Sequence, residues 1–168
     1  LTAKESVNIN VLTHLIKGRI ENLVSTGKSF KDANTQAKSE FLCFLGIIDL
    51  FDKDFDNLDI SAKEDYNAVL LSFSLILQRY TMIWNERSTL TAELTQLLSN
   101  LSSDFATDGL ISNRKLIDTL LFNISQLNLI DIRKNIEKRY SNLGQIVSIP
   151  NFEKYIAIFQ EKYSNNLY

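Results

Sequence analysis

Apolar residues recur at three- and four-residue intervals along most of this chain, in stretches that each close on a helix-stopping residue. Leu12, Leu15, Ile16, Ile20 and Leu23 make the first stripe, and Gly27 stands where a left-handed C-cap belongs. This predicts a helix from Asn8 or Asn10 to Thr26. Ser29 caps the next, with Asp32 three residues on as an imperfect capping box. Its inward face is Phe30, Ala33, Ala37, Phe41 and Phe44, and Gly46 ends it. A third helix over 62–80 is apolar on nearly every side through Val69, Leu70, Leu71, Phe73, Leu75, Ile76 and Leu77. That pattern marks the centre of a bundle. Ser61 with Glu64 three residues on has the spacing of its capping box.

Four more stretches follow. Leu90, Leu94, Leu97, Leu98, Leu101 and Phe105 predict a helix over 89–106, closed by the turn signal Asp108-Gly109. Ser112 or Asn113 caps a fifth, with Leu116, Ile117, Leu120, Leu121, Ile124 and Leu127. Asp131 caps a sixth, with Ile132, Ile136, Tyr140 and Leu143 inward and Gly144 as its stop. Pro150, the lone proline, opens the last, whose inward face is Phe152, Tyr155, Ile156 and Phe159. Links after residue 80 are short, so neighbouring helices are expected antiparallel. The fold class expected is all-α: a single compact orthogonal or antiparallel bundle of about seven helices over 1–168, with one long acidic connector at 47–61. Its own Ile and Phe side chains pack that connector down.

Composition supports a packed core, with 45% hydrophobic and 23% charged residues. A net charge of −2 argues against an extended nucleic-acid surface. The densest basic run, Arg133, Lys134, Lys138 and Arg139, is interrupted by Asp131 and Glu137 and reads as a solvated helix face. The longest apolar run, Ala68 to Leu77, is broken by Ser72 and Ser74 and falls short of the ~18 residues of a membrane span. The chain begins at Leu1 without a charged-then-apolar leader, and is expected to be a piece of a larger or processed protein.

Catalytic vocabulary is sparse. Cys43, the lone cysteine, cannot form an internal disulfide and reads as a small buried hydrophobe between Leu42 and Phe44. His14, the lone histidine, reads as an edge residue rather than a base for that thiol. Glu40 and Glu64 are isolated carboxylates, and no nucleophile elbow or phosphate-cradling glycine loop occurs. The most suggestive cluster is Asp52, Asp54, Asp56 and Asp59. Aspartates at positions one, three and five open a helix–loop–helix calcium loop, because hard cations take oxygen ligands. The pattern then breaks: Asn57 stands where the glycine belongs, and Lys63 where the bidentate glutamate belongs. Weak calcium binding is one alternative reading; local turns are the other. Trp84, in the break between the third and fourth helices, reads first as a cover on the core and second as part of a glycan or peptide site lined with exposed tyrosines.

Several separated blocks look familiar together: Asn8 to Leu15, Arg19, Leu23-Val24, Lys28 to Ala33 and Gln36-Ala37. Next come Asp65 to Leu71, Glu93 to Asn100, Asp104 to Gly109, Ile132 to Asn135, Lys138 to Tyr140 and Ile149 to Tyr155. In this order they resemble the helical region of Bacteroidetes cell-envelope proteins, often predicted lipoproteins, that carry an N-terminal β domain like a carboxypeptidase regulatory domain. Cys43 and the Trp84 region depart from the likeness. The resemblance implies a periplasmic or cell-surface location and membrane association only through a lipid anchor outside this segment. It transfers no catalytic or binding residue. The function expected is a non-catalytic scaffold or interaction module for another envelope protein or a glycan. An enzyme built from scattered Asp and Glu is the remaining rival.

Overall fold

The computed structural model describes residues 9–48, 53–83 and 90–164. Among them the chain is all-α, with seven α-helices and one turn of 3-10 helix. They are α1 (Val11–Ser25), α2 (Phe30–Phe44), α3 (Asp65–Ile83), α4 (Leu90–Asp108), α5 (Arg114–Ser125), α6 (Leu129–Asn142) and α7 (Phe152–Ser164), with the 3-10 turn at Phe55–Asn57. No described helix is long and apolar enough to cross a membrane. The contacts divide the chain into two compact units: 1–58 with 98–112, and 59–97 with 113–168.

In the first unit, Asn10 starts α1. Its Oδ1 accepts from the N–H groups of Leu12 and Thr13 at 3.0 and 3.1 Å, and its own N–H donates to Thr13 Oγ1 at 3.0 Å. This reciprocal cap satisfies donors that a helix start leaves orphaned. Asn10 Nδ2 also donates to the Phe55 carbonyl, which ties the 3-10 turn to α1. At the other end Gly27 has φ +100°, and Lys28 N–H closes back to the Leu23 carbonyl at 3.1 Å. Phe41 is fully buried at the centre of this unit. It meets Phe55 and Phe105 edge-on, at ring separations of 6.3 and 5.5 Å, and lies tilted against Phe44.

Two expectations for α2 fail. Phe30, the first helical residue, is 70% exposed, and Cys43 is exposed rather than buried. The buried face follows Ala33, Ala37, Phe41 and Phe44. Cys43 lies two residues beyond Phe41, about 200° around the helix and on the far side.

In the second unit α3 is the central helix, packed on both α5 and α7. Ala68 to Phe73, Ile76 and Leu77 are buried around most of its circumference. The α7 face is the one the periodicity predicts: Phe152, Tyr155, Ile156 and Phe159 are all buried.

Three starts differ from expectation. α3 begins at Asp65, because Ser61 donates its N–H and hydroxyl back to Asp59 Oδ1 at 2.8 and 2.6 Å. That local turn competes with capping. Buried Asn67 then fixes the entry by accepting from the Asp59 N–H at 2.8 Å. α6 starts at Leu129 with Asn128 as its cap, which leaves Asp131 in the first turn. Pro150 precedes α7, which begins at Phe152.

The largest departure is α6 itself. None of its residues is buried. Ile132, Ile136 and Tyr140 are half-buried, and Leu143 is 63% exposed. The stripe expected to face inward is only partly covered.

Candidate functional site

Two members of the acidic cluster, Asp54 and Asp59, are engaged by protein donors. Asp54 Oδ1 accepts from Lys38 Nζ at 3.2 Å and from Asn34 Nδ2 at 3.5 Å. Lys38 Nζ also reaches the Lys53 carbonyl at 3.3 Å, so it closes this loop onto α2. Asp59 takes both donors of Ser61, whose hydroxyl and N–H hold its carboxyl below the usual range against a smaller effect of burial. Asp56 is half-buried in the 3-10 turn. Asp52 lies outside the described residues. Among those described, no three His, Cys, Asp or Glu side chains gather to hold a metal ion. Asp54 and Asp56 belong to the first unit and Asp59 to the second. Trp84 too lies outside the described residues. His14 and Cys43 are both exposed.

The strongest polar constellations join helix to helix. In the first unit Arg19, buried in the apolar face of α1, donates Nε and Nη2 to Glu40 at 2.8 and 3.0 Å and Nη1 to the Thr107 carbonyl at 2.8 Å. Gln36 Nε2 adds a bond to Glu40 at 2.7 Å. Burial pushes the Glu40 carboxyl up; the bonds from Arg19 and Gln36, with the charges of Arg19 and Lys28, outweigh it and hold the carboxyl below its usual range.

A similar clamp stands in the second unit. Arg133 of α6 donates Nε and Nη2 to Glu153, both at 2.7 Å, and also reaches the carbonyls of Ile149 and Pro150. Its guanidinium lies over the Phe152 ring, 5.1 Å from the centroid. The bond from Arg133 holds Glu153 low. Asp65 is likewise held low, by the Lys154 bond first, against burial, with the Tyr155 hydroxyl assisting. All the shifted carboxyls thus lean toward the ionised form. A general acid working near neutral pH needs the opposite shift.

Three hollows open on the described surface, two of them mainly apolar and the one beside Arg133 and Glu137 mixed. In the first unit a groove of about 470 Å³ runs between Ile16, Ile20, Phe30 and Phe55, with Asp54 and Asp56 on its rim. In the second unit α6 is flanked by two hollows. One, of about 690 Å³, is lined by Arg133, Glu137 and Ile146 to Ile149 and by the Ser61–Glu64 turn. The other, of about 230 Å³, lies among Arg79, Leu127, Asn128, Asp131, Ile132 and Asn135. α6 thus has an amphipathic sequence, no fully buried residue and a hollow on each side.

Lys134, Lys138 and Arg139 are exposed, as a solvated face requires, whereas Arg133 is spent on its clamp. The sequence reading missed Arg19 and Arg79. The available signal was position: Arg19 sits four residues after Leu15 and four before Leu23, on the buried stripe. Comparison with protein-family models, with curated proteins and with solved structures finds no match to this chain.

Proposed function

We propose that this chain is a non-catalytic interaction module of a cell-surface or periplasmic lipoprotein, and that it docks its partner along α6. One observation carries the reading: α6 has an apolar stripe and no buried residue. The stripe runs through Ile132, Ile136, Tyr140 and Leu143, and Ile146 beyond it is fully exposed. Exposed apolar surface of this kind is the usual mark of a docking face.

Basic residues outnumber acidic ones on α6, and Lys134, Lys138 and Arg139 are exposed. Charge complementarity therefore favours a partner with an apolar ridge flanked by acidic residues. The envelope setting rests on the sequence resemblance. The residues of both clamps support a scaffold role: Arg19, Arg133 and Glu153 fall in the resembling blocks, and each is used to join helices.

The test is site-specific photo-crosslinking in the native envelope, with the probe at Leu143 on α6 or at exposed His14 on α1. The expected result is a discrete adduct with another protein from Leu143, lost when Lys134 and Lys138 are both changed to Glu. Adducts from both positions alike, or from neither, would overturn the reading. An adduct of twice the chain's mass would replace the foreign partner by a second copy.

A further inference from the structure

Arg79, near the end of α3, has a buried donor that no described residue engages. Its Nε is shut off from water and has no hydrogen-bond partner, and the guanidinium makes no ion pair among the described residues. Arg19 and Arg133 by contrast each hold a carboxylate and a backbone carbonyl. A guanidinium presents five donors in a planar fork, and burying one without an acceptor is unfavourable until an acceptor arrives.

Arg79 lines the hollow of about 230 Å³ between α3 and the start of α6. We infer that this hollow is a binding site for a single carboxylate group, seated on the Arg79 guanidinium. A carboxylate seated on the guanidinium there can accept two parallel N–H bonds. Asn128 and Asn135 contribute amide groups to the wall, and Leu127 and Ile132 give it an apolar side for a short aliphatic stem. The leading N–H groups of α6, which starts here, favour negative charge as well.

Size and charge narrow the ligand. A hollow of about 230 Å³ is smaller than the roughly 300–1,000 Å³ of sites for drug-sized molecules. It suits a small acid or one acidic side chain. Asp131 also lines the hollow, its Oδ2 held by Asn128 Nδ2 at 2.7 Å. With one guanidinium and one carboxylate in its wall, the hollow has little surplus positive charge, which disfavours doubly charged phosphate more than a single carboxylate.

The test is an NMR titration of the isotope-labelled chain, following the Arg79 Nε–H signal and the amides of Leu129 to Asp131. Probes are acetate, a capped tripeptide with one glutamate, inorganic phosphate, and chloride at matched ionic strength. A saturable shift is expected with the carboxylates, lost in Arg79→Met and several-fold tighter in Asp131→Asn. Arg79→Met is expected to melt no lower than the parent, because no bond to a described residue is removed. A stronger response to the glutamate peptide assigns the carboxylate to a protein side chain; a stronger response to acetate assigns it to a small free acid. No saturable shift, an equal shift with chloride, or a shift that survives in Arg79→Met would overturn the inference.

Discussion

Arg19 grips Glu40 through two bonds, Nε to Oε2 at 2.8 Å and Nη2 to Oε1 at 3.0 Å, and a third bond from the same guanidinium reaches the Thr107 carbonyl. Three helices of the first unit meet at this one side chain. Gly109 closes the other side. Its φ is +79°, and a Cβ placed on it would overlap the Glu40 carboxylate. Glu40 cannot swing away without leaving Arg19.

Gly109→Ala is therefore expected to cost more than Gly27→Ala. At Gly27, with φ +100° and open space around it, only backbone strain is added, about 1 kcal/mol. At Gly109 the displaced ion pair adds to the strain, for a total of about 3 kcal/mol. Urea unfolding of the two variants checks this. Combined with Arg19→Met, the Gly109→Ala cost should shrink, because the carboxylate is then free to move.

Acid should weaken the fold through the same pair. Glu40 is held below its usual range in the folded chain, so its contribution is complete above the unfolded value of about 4.3 and is lost as pH falls through the lower folded value. Asp65 and Glu153 act in the same direction in the second unit. The expected result is unfolding free energy that declines below about pH 4. Glu40→Gln should start less stable near neutrality and decline less steeply. An equally steep decline would remove Glu40 from the account.

Arg133 is expected to hold the link from α6 into α7. It bonds Glu153 and the carbonyls of Ile149 and Pro150, and both side chains of the ion pair are about 30% exposed. Solvent screening limits the pair, so Arg133→Met should cost about 1–2 kcal/mol. Hydrogen exchange should quicken at 145–151 and stay unchanged in α3. Faster exchange throughout the second unit would show that the clamp supports the whole core instead.

Much of the fold was legible because periodicity and capping are local. The all-round apolarity of α3 announced a central helix, Gly27 follows the end of α1 in both sequence and structure, and of the two starts the sequence offers, Asn8 and Asn10, the cap is Asn10. Cover is not local. Ile132, Ile136, Tyr140 and Leu143 repeat as regularly as the buried residues of α7, yet none is fully buried. Spacing shows that a helix has an apolar face, and only tertiary packing shows what meets it. The same limit applies to Cys43, whose buried neighbours say little about its own side of the helix, and to Ser61, whose donors Asp59 captured. In the acidic cluster, Asp54 takes Lys38 and Asn34, donors that sequence spacing cannot supply.

The most direct measurement compares Ile136→Asp with Ile76→Asp, by thermal unfolding and by photo-crosslinking from Leu143. Ile76 is buried in α3, and a charge there should abolish cooperative folding. Ile136 is half-buried on α6, and if its stripe serves a partner, Ile136→Asp should cost about 1–2 kcal/mol, leave folding cooperative and lose the Leu143 adduct. Unfolding as severe as that of Ile76→Asp, or an adduct that persists, would contradict α6 as the docking face.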